Sequence, residues 1–166
     1  MTPRKKQTGF TLVELMFTIA LAAILLGFAV PAIRDGILSN RLNSATSAVY
    51  ELFTEARSLA MQKNQDVYLS FSTESSGSQC VGYNVGTPCD CATGTCQKVV
   101  SDGQFANITF NQTRGDPTTP AFTPYGWILN YWRIQVKAWK DSAQTNLARQ
   151  HVITVTKTGM VVRSDI

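Results

Sequence analysis

The chain has a single histidine, His151, and contains no GxSxG, HExxH or phosphate-loop pattern. With one imidazole and no paired nucleophile, the residues make no case for an enzyme, and nothing calls for a metal or another cofactor. No tandem repeat or low-complexity tract occurs. Charge is missing in one place above all: from Phe10 to Ile33 the only ionisable side chain is Glu14. That gap sets the organisation of the rest.

Ahead of the gap lies a short polar leader, MTPRKKQTG, whose cations are Arg4, Lys5 and Lys6. Roughly 20 apolar residues at about 1.5 Å each cross a bilayer core, so 10–33 is long enough to span one. The leader cations should stay cytoplasmic and leave the remainder of the chain outside. Glu14 is the anomaly, because a carboxylate there costs about 2.5–3.5 kcal/mol on insertion scales and persists where it has a partner. Cleavage after Gly9 would make Phe10 a free amine one helical turn away, and helix N-termini favour carboxylates as well. Two plainer readings compete. One is an ordinary secretory signal cut after Gly27-Phe28-Ala29, which leaves Glu14 unexplained and puts Pro31 just past the cut. The other is an uncleaved signal anchor.

The stretch Gly9-Phe10-Thr11-Leu12-Val13-Glu14 resembles the class III signal of type IV prepilins and type II secretion pseudopilins. The resemblance implies that prepilin peptidase cuts between Gly9 and Phe10 and methylates Phe10. It also implies that Glu14 serves assembly by pairing with the amine of a neighbouring subunit. Other major and minor pilins, the pilus assembly machinery and the inner membrane are the implied partners. The subunit would sit in the bacterial inner membrane as a single-pass protein with a periplasmic C-terminal domain. After assembly it would belong to a surface pilus or a periplasmic pseudopilus.

Pro31 should kink or loosen the helix, with Gly27 adding freedom before it. From Ile37 to Lys63 the apolar residues Leu38, Leu42, Ala45, Val49, Leu52, Ala56 and Leu59 alternate at spacings of four and three. That is one helix face, suited to packing on a sheet or to a coiled-coil seam. Asn64 reads as a stop. Beyond it the period turns to two: Val67, Leu69 and Phe71 alternate with polar residues, and 80–85 returns after a Ser-Gly turn. Further strands are predicted at 97–101, 105–110, 121–130, 132–140, 151–156 and 160–163, with 102–120 otherwise turn and loop. The expected fold is α+β and pilin-like, a long N-terminal helix packed on an antiparallel β-sheet domain. Its parts would be a leader (1–9), the membrane and assembly half of the helix (10–33), the amphipathic half (34–64) and a β-rich head (65–166).

Cys80, Cys89, Cys91 and Cys96 fall in a short Gly- and Thr-rich stretch. In an exported chain such clustering predicts disulfides, with the Cys89–Cys91 pairing disfavoured by its small ring and the rest left open. Zinc is the sharper alternative, but C-x8-C-x-C-x4-C is no standard zinc spacing.

Asn40-Arg41-Leu42, Glu55 to Ala60, Lys63 to Val67, Phe122 to Gly126 and Val155 to Gly159 narrow the resemblance to the GspH/FimT family of minor pilins and pseudopilins. Within that family the type IV pilus members are the nearer match. Some members bind DNA through a C-terminal Gly-Arg-x-Arg motif. Here Gly159-Met160-Val161-Val162-Arg163 stands in its place, with the first arginine absent. Still, 131–166 carries six Lys/Arg against two Asp, a net of +4, whereas 10–130 is at −3. Arg133, Lys137, Lys140, Lys157 and Arg163 are therefore candidate DNA contacts, with Tyr131, Trp132 and Trp139 as candidate stacking rings. The plainer reading puts Arg133 and Lys137 on the solvent face of a strand and Trp132 inside.

Overall fold

The computed structural model describes residues 9–115 and 121–165, and for 28–32 the backbone only. The leader ahead of Gly9 and the Pro31 ring lie outside the described residues. The chain divides into two compact units, one ending at Ile37 and the other beginning at Leu38. Helix α1 runs from Leu12 to Lys63.

In the second unit α1 buries Leu42, Ala45, Val49, Leu52, Phe53, Ala56 and Ala60. The expected 3–4 seam is there, but Leu38 and Leu59 at its ends are only half-buried and Phe53 widens it. Wider stripes suit packing on a sheet, whereas a coiled coil keeps a narrow one. Asn64 ends the helix in a left-handed conformation (φ 52°), and the Gln65 amide donates to the Ala60 carbonyl at 3.3 Å. This is the helix stop expected of Asn, closing an otherwise orphan carbonyl.

Among the described residues, seven strands follow. β1 (Val67–Thr73), β2 (Gln79–Val85) and β3 (Lys98–Ser101) form one antiparallel sheet in that order. β4 (Ile108–Arg114), β5 (Trp132–Trp139), β6 (Leu147–Val155) and β7 (Val161–Asp165) form a second. The α+β, pilin-like architecture expected from the sequence is what the structure has. Asp102 stitches the sheets together: its Oδ1 accepts from the Gln79 amide and its Oδ2 from the Phe110 amide, both at 2.9 Å. Burial pushes its carboxyl up, against the pull of those two amides. On the helix side, Glu55 pairs with Lys98. Burial, with the Glu55 carboxylate next, pushes the Tyr83 phenol up to about 12.

Three strand expectations need correction. Residues 121–130 form no strand beyond one bridge, Val67 to Phe122. A turn intervenes instead, with the Gly126 amide donating to the Thr123 carbonyl at 2.8 Å and Gly126 at φ 74°. Pro124 and Gly126 interrupt what had the apolar content of a strand. β4 does not begin at 105, because Asn107 is left-handed (φ 64°), and it continues to Arg114 through polar residues. β6 begins at Leu147, ahead of the apolar residues that suggested it.

The cysteines form Cys80–Cys91 and Cys89–Cys96. With all four engaged, no thiolate set is present to hold zinc.

Candidate functional sites

The first unit's site starts at its N-cap. Thr11 Oγ1 accepts from the Glu14 amide at 3.2 Å, while Glu14 Oε2 accepts from the Thr11 amide at 3.0 Å and from the Thr11 hydroxyl at 2.9 Å. Thr-x-x-Glu is a capping box, two otherwise orphan amides satisfied reciprocally. Glu14 thus has a partner within its own chain, where the sequence reading expects one only in the Phe10 amine or a neighbouring subunit. The signal was in the sequence, since Thr11 stands three residues before Glu14.

Gly9 and Phe10 precede this cap and are exposed, Phe10 by 79%. Val13, Phe17, Ile24, Leu25 and Leu26 are exposed too, each by more than half. An apolar surface of this extent marks a contact with protein or lipid. Among the described residues no helix is long and apolar enough to cross a membrane. The described apolar side chains of α1 before the 28–32 stretch cover 12–27, short of the roughly 20 that a span needs.

In the head, the proposed DNA contacts do not converge. Arg133 and Lys137 lie on the outer face of the second sheet, opposite Thr154 and Gln150. Lys140 follows one end of β5, and Lys157 lies in the β6–β7 turn at the other end of the sheet. Arg163 is opposite the buried Ile153, on the inner face, where its Nη2 donates to Asn43 Oδ1 at 2.7 Å. Trp132 is wholly buried and unavailable for stacking. Trp139 is half-buried, its Nε1 donating to Thr109 Oγ1 at 2.8 Å. Tyr131 instead receives Arg114 and Arg133 over its ring, at 5.0 and 5.9 Å from the centroid. Arg114 carries no signal in the sequence because it falls in the polar continuation of β4.

His151 joins helix to sheet. Thr46 Oγ1 donates to the Leu42 carbonyl at 2.7 Å, so it accepts from His151 Nδ1–H at 3.0 Å. That leaves Nε2 facing Asp165 Oδ1 at 3.2 Å and Arg163 Nη2 at 3.5 Å. Burial first, then the Arg163 charge, hold this imidazole below its usual value, against the opposing pull of Asp165.

A capped, exposed apolar helix leading into a disulfide-bonded β head is the arrangement of a filament-subunit type of protein. Comparisons agree. Residues 4–30 match the model of the prokaryotic N-terminal methylation motif. A protein of Pseudomonas aeruginosa named "Fimbrial protein" is 32% identical over 111 residues, covering 67% of this chain and 70% of the relative. A second of the same name and organism is 31% identical over the same span. No solved structure gives a significant match. The chain belongs to the type IV pilin family, whose members are structural proteins and not enzymes.

Proposed function

We infer that the chain is a minor type IV pilin of the GspH/FimT kind, which joins or primes the pilus filament. Prepilin peptidase would cut between Gly9 and Phe10 and methylate Phe10. Before assembly, 10–33 would hold the subunit in the bacterial inner membrane with the head in the periplasm. Other pilins and the assembly machinery would then draw it into the filament. The observation that carries this reading is the cap itself: Gly9-Phe10 lies directly ahead of the Thr11–Glu14 box and an exposed apolar helix. On processing, the Phe10 amine appears beside a carboxylate already oriented by Thr11, so Glu14 can accept a neighbour's amine with little reordering. The test is Glu14→Ala, expected to leave a processed subunit in the membrane while its recovery in sheared pili drops. Unchanged recovery contradicts the role of Glu14.

Two finer readings compete on specific grounds. A DNA-uptake role is favoured by Arg114 of β4 and Arg133 and Lys137 of β5 on one face of the second sheet, with no acid paired to them among the described residues. Scattered cations of this kind give weak, salt-sensitive binding. Gel shifts with charge reversals at these residues decide it, and no retardation at low salt removes it. A minor pseudopilin role rests on the same N-terminus. There, disruption would abolish protein secretion and leave twitching and transformation intact.

A further inference from the structure

A cleft of about 640 Å³ opens where the tip of the β1–β2 hairpin faces β4, the end of β5 and the loop after it. Its volume lies in the range of small-ligand sites, roughly 300–1,000 Å³. Ser78, Asn111, Lys137, Trp139 and Gln144 are among its walls, with Asp102 at its back. Phe71, Phe105, Ile108 and Phe110 also line it, so hydroxyl, amide and ammonium groups stand beside apolar wall, a mix that suits a polar ligand with an apolar face.

The charges in the cleft are unequal in what they offer. Asp102 is buried, and both of its oxygens already accept main-chain amides. Lys137 is only half-buried, and among the described residues no carboxylate lies within ion-pair distance of it. The charge open to a ligand is therefore one ammonium. Beside it, the Trp139 indole is fixed through Nε1 to Thr109 Oγ1 at 2.8 Å, so its ring plane is set before anything binds. The loop carrying Gln144 is also held in advance, because Asp141 Oδ1 accepts from the Thr145 amide at 3.0 Å and the Asn146 amide at 3.3 Å. Such pre-organisation lowers the entropy lost on binding.

The geometry points to a binding site for an acidic saccharide. A sugar ring has an apolar C–H face for the Trp139 ring and hydroxyls for Asn111, Gln144 and Ser78. A single carboxylate on that ring matches the single Lys137 charge. A phosphate group or a nucleotide would want arginine forks or several main-chain amides, which these walls do not supply. This site is independent of the pilin assignment, and its failure would leave that assignment standing.

The test uses the full chain in micelles of a detergent without a sugar headgroup. The probes are a disaccharide containing glucuronic acid and the neutral disaccharide of the same linkage. Saturation-transfer NMR and calorimetry at millimolar ligand should show the acidic probe bound and the neutral one weaker by about tenfold, the size of one lost charge contact. Lys137→Gln should weaken the acidic probe to the level of the neutral one, and Trp139→Phe should retain more binding than Trp139→Ala. Should Trp139→Ala misfold, Lys137→Gln still decides, since its side chain is partly exposed. No transfer to the wild-type chain overturns the proposal. So does equal binding of the two probes, or acidic-probe binding unchanged by Lys137→Gln.

Discussion

Glu14 and His151 are ionisable residues whose meaning comes from their neighbours. For Glu14 the neighbour is Thr11, and the pair closes the first turn of α1. Losing an N-cap hydroxyl costs about 1 kcal/mol, so Thr11→Ala should fray that turn without removing the acid. The expected outcome is faster amide exchange at Glu14 and intact processing after Gly9, and equal exchange in both proteins would contradict the cap. For His151, the folded pKa is depressed below the ordinary 6.5 by burial and by Arg163. A base depressed in the native state supports the fold fully above its unfolded pKa, and that support is lost as pH falls from about 6.5 toward the folded value. The urea midpoint should therefore be lower at pH 5 than at pH 7.5, with the difference reduced in His151→Asn. A midpoint that is equal or higher at pH 5 would contradict it. The lone histidine was visible in the sequence, but Thr46, Arg163 and Asp165 are brought to it only by tertiary packing.

At the level of elements, what could be read ahead of the structure was whatever carried a period. The 3–4 spacing of Leu42, Ala45, Val49, Leu52 and Ala56 marks the buried face of α1, and the alternation in Trp132, Ile134, Val136 and Ala138 marks the inner face of β5. Periodicity reports burial, so it is silent where a strand meets solvent. Asn111 to Arg114 and the first residues of β6 were missed on that account. At 121–130 the expected strand is absent, and Trp127 and Leu129 there are exposed. Phe53 fills the helix–sheet interface, and Phe53→Ala should destabilise the head by about 3–5 kcal/mol in chemical denaturation. The turn that replaced the expected strand has its own requirement. A Cβ on Gly159, at φ 73°, would sit 1.7 Å from the Gly126 carbonyl oxygen. Gly159→Ala should lower the melting temperature clearly, and an unchanged melt would mean that the two turns do not meet as described.

For the molecule as a whole, the pilin-like fold was legible because the run from Gly9 to Glu14 resembles a family signal and the periods after it mark a helix and then strands, whereas the Thr11–Glu14 cap came only with the structure. The head was legible in class but not in wiring. The disulfides join cysteines 11 and 7 residues apart, and their choice depends on where β2 and the following loop place each sulfur. Loops of this length are worth about 2–3 kcal/mol each by chain entropy. Reduction should therefore lower the unfolding midpoint of the head, and an unchanged midpoint would make the bridges ornamental. The distribution of Arg133, Lys137, Lys140, Lys157 and Arg163 over two faces and two ends could not be read from their shared location in the C-terminal fifth.

Everything proposed for assembly depends on the chain being cut between Gly9 and Phe10. Intact-mass and N-terminal peptide analysis of the protein recovered from sheared pili tests this most directly. The account predicts a first residue of N-methylated Phe10 with the leader gone. A retained leader, or a mature chain starting at Val30, would contradict it.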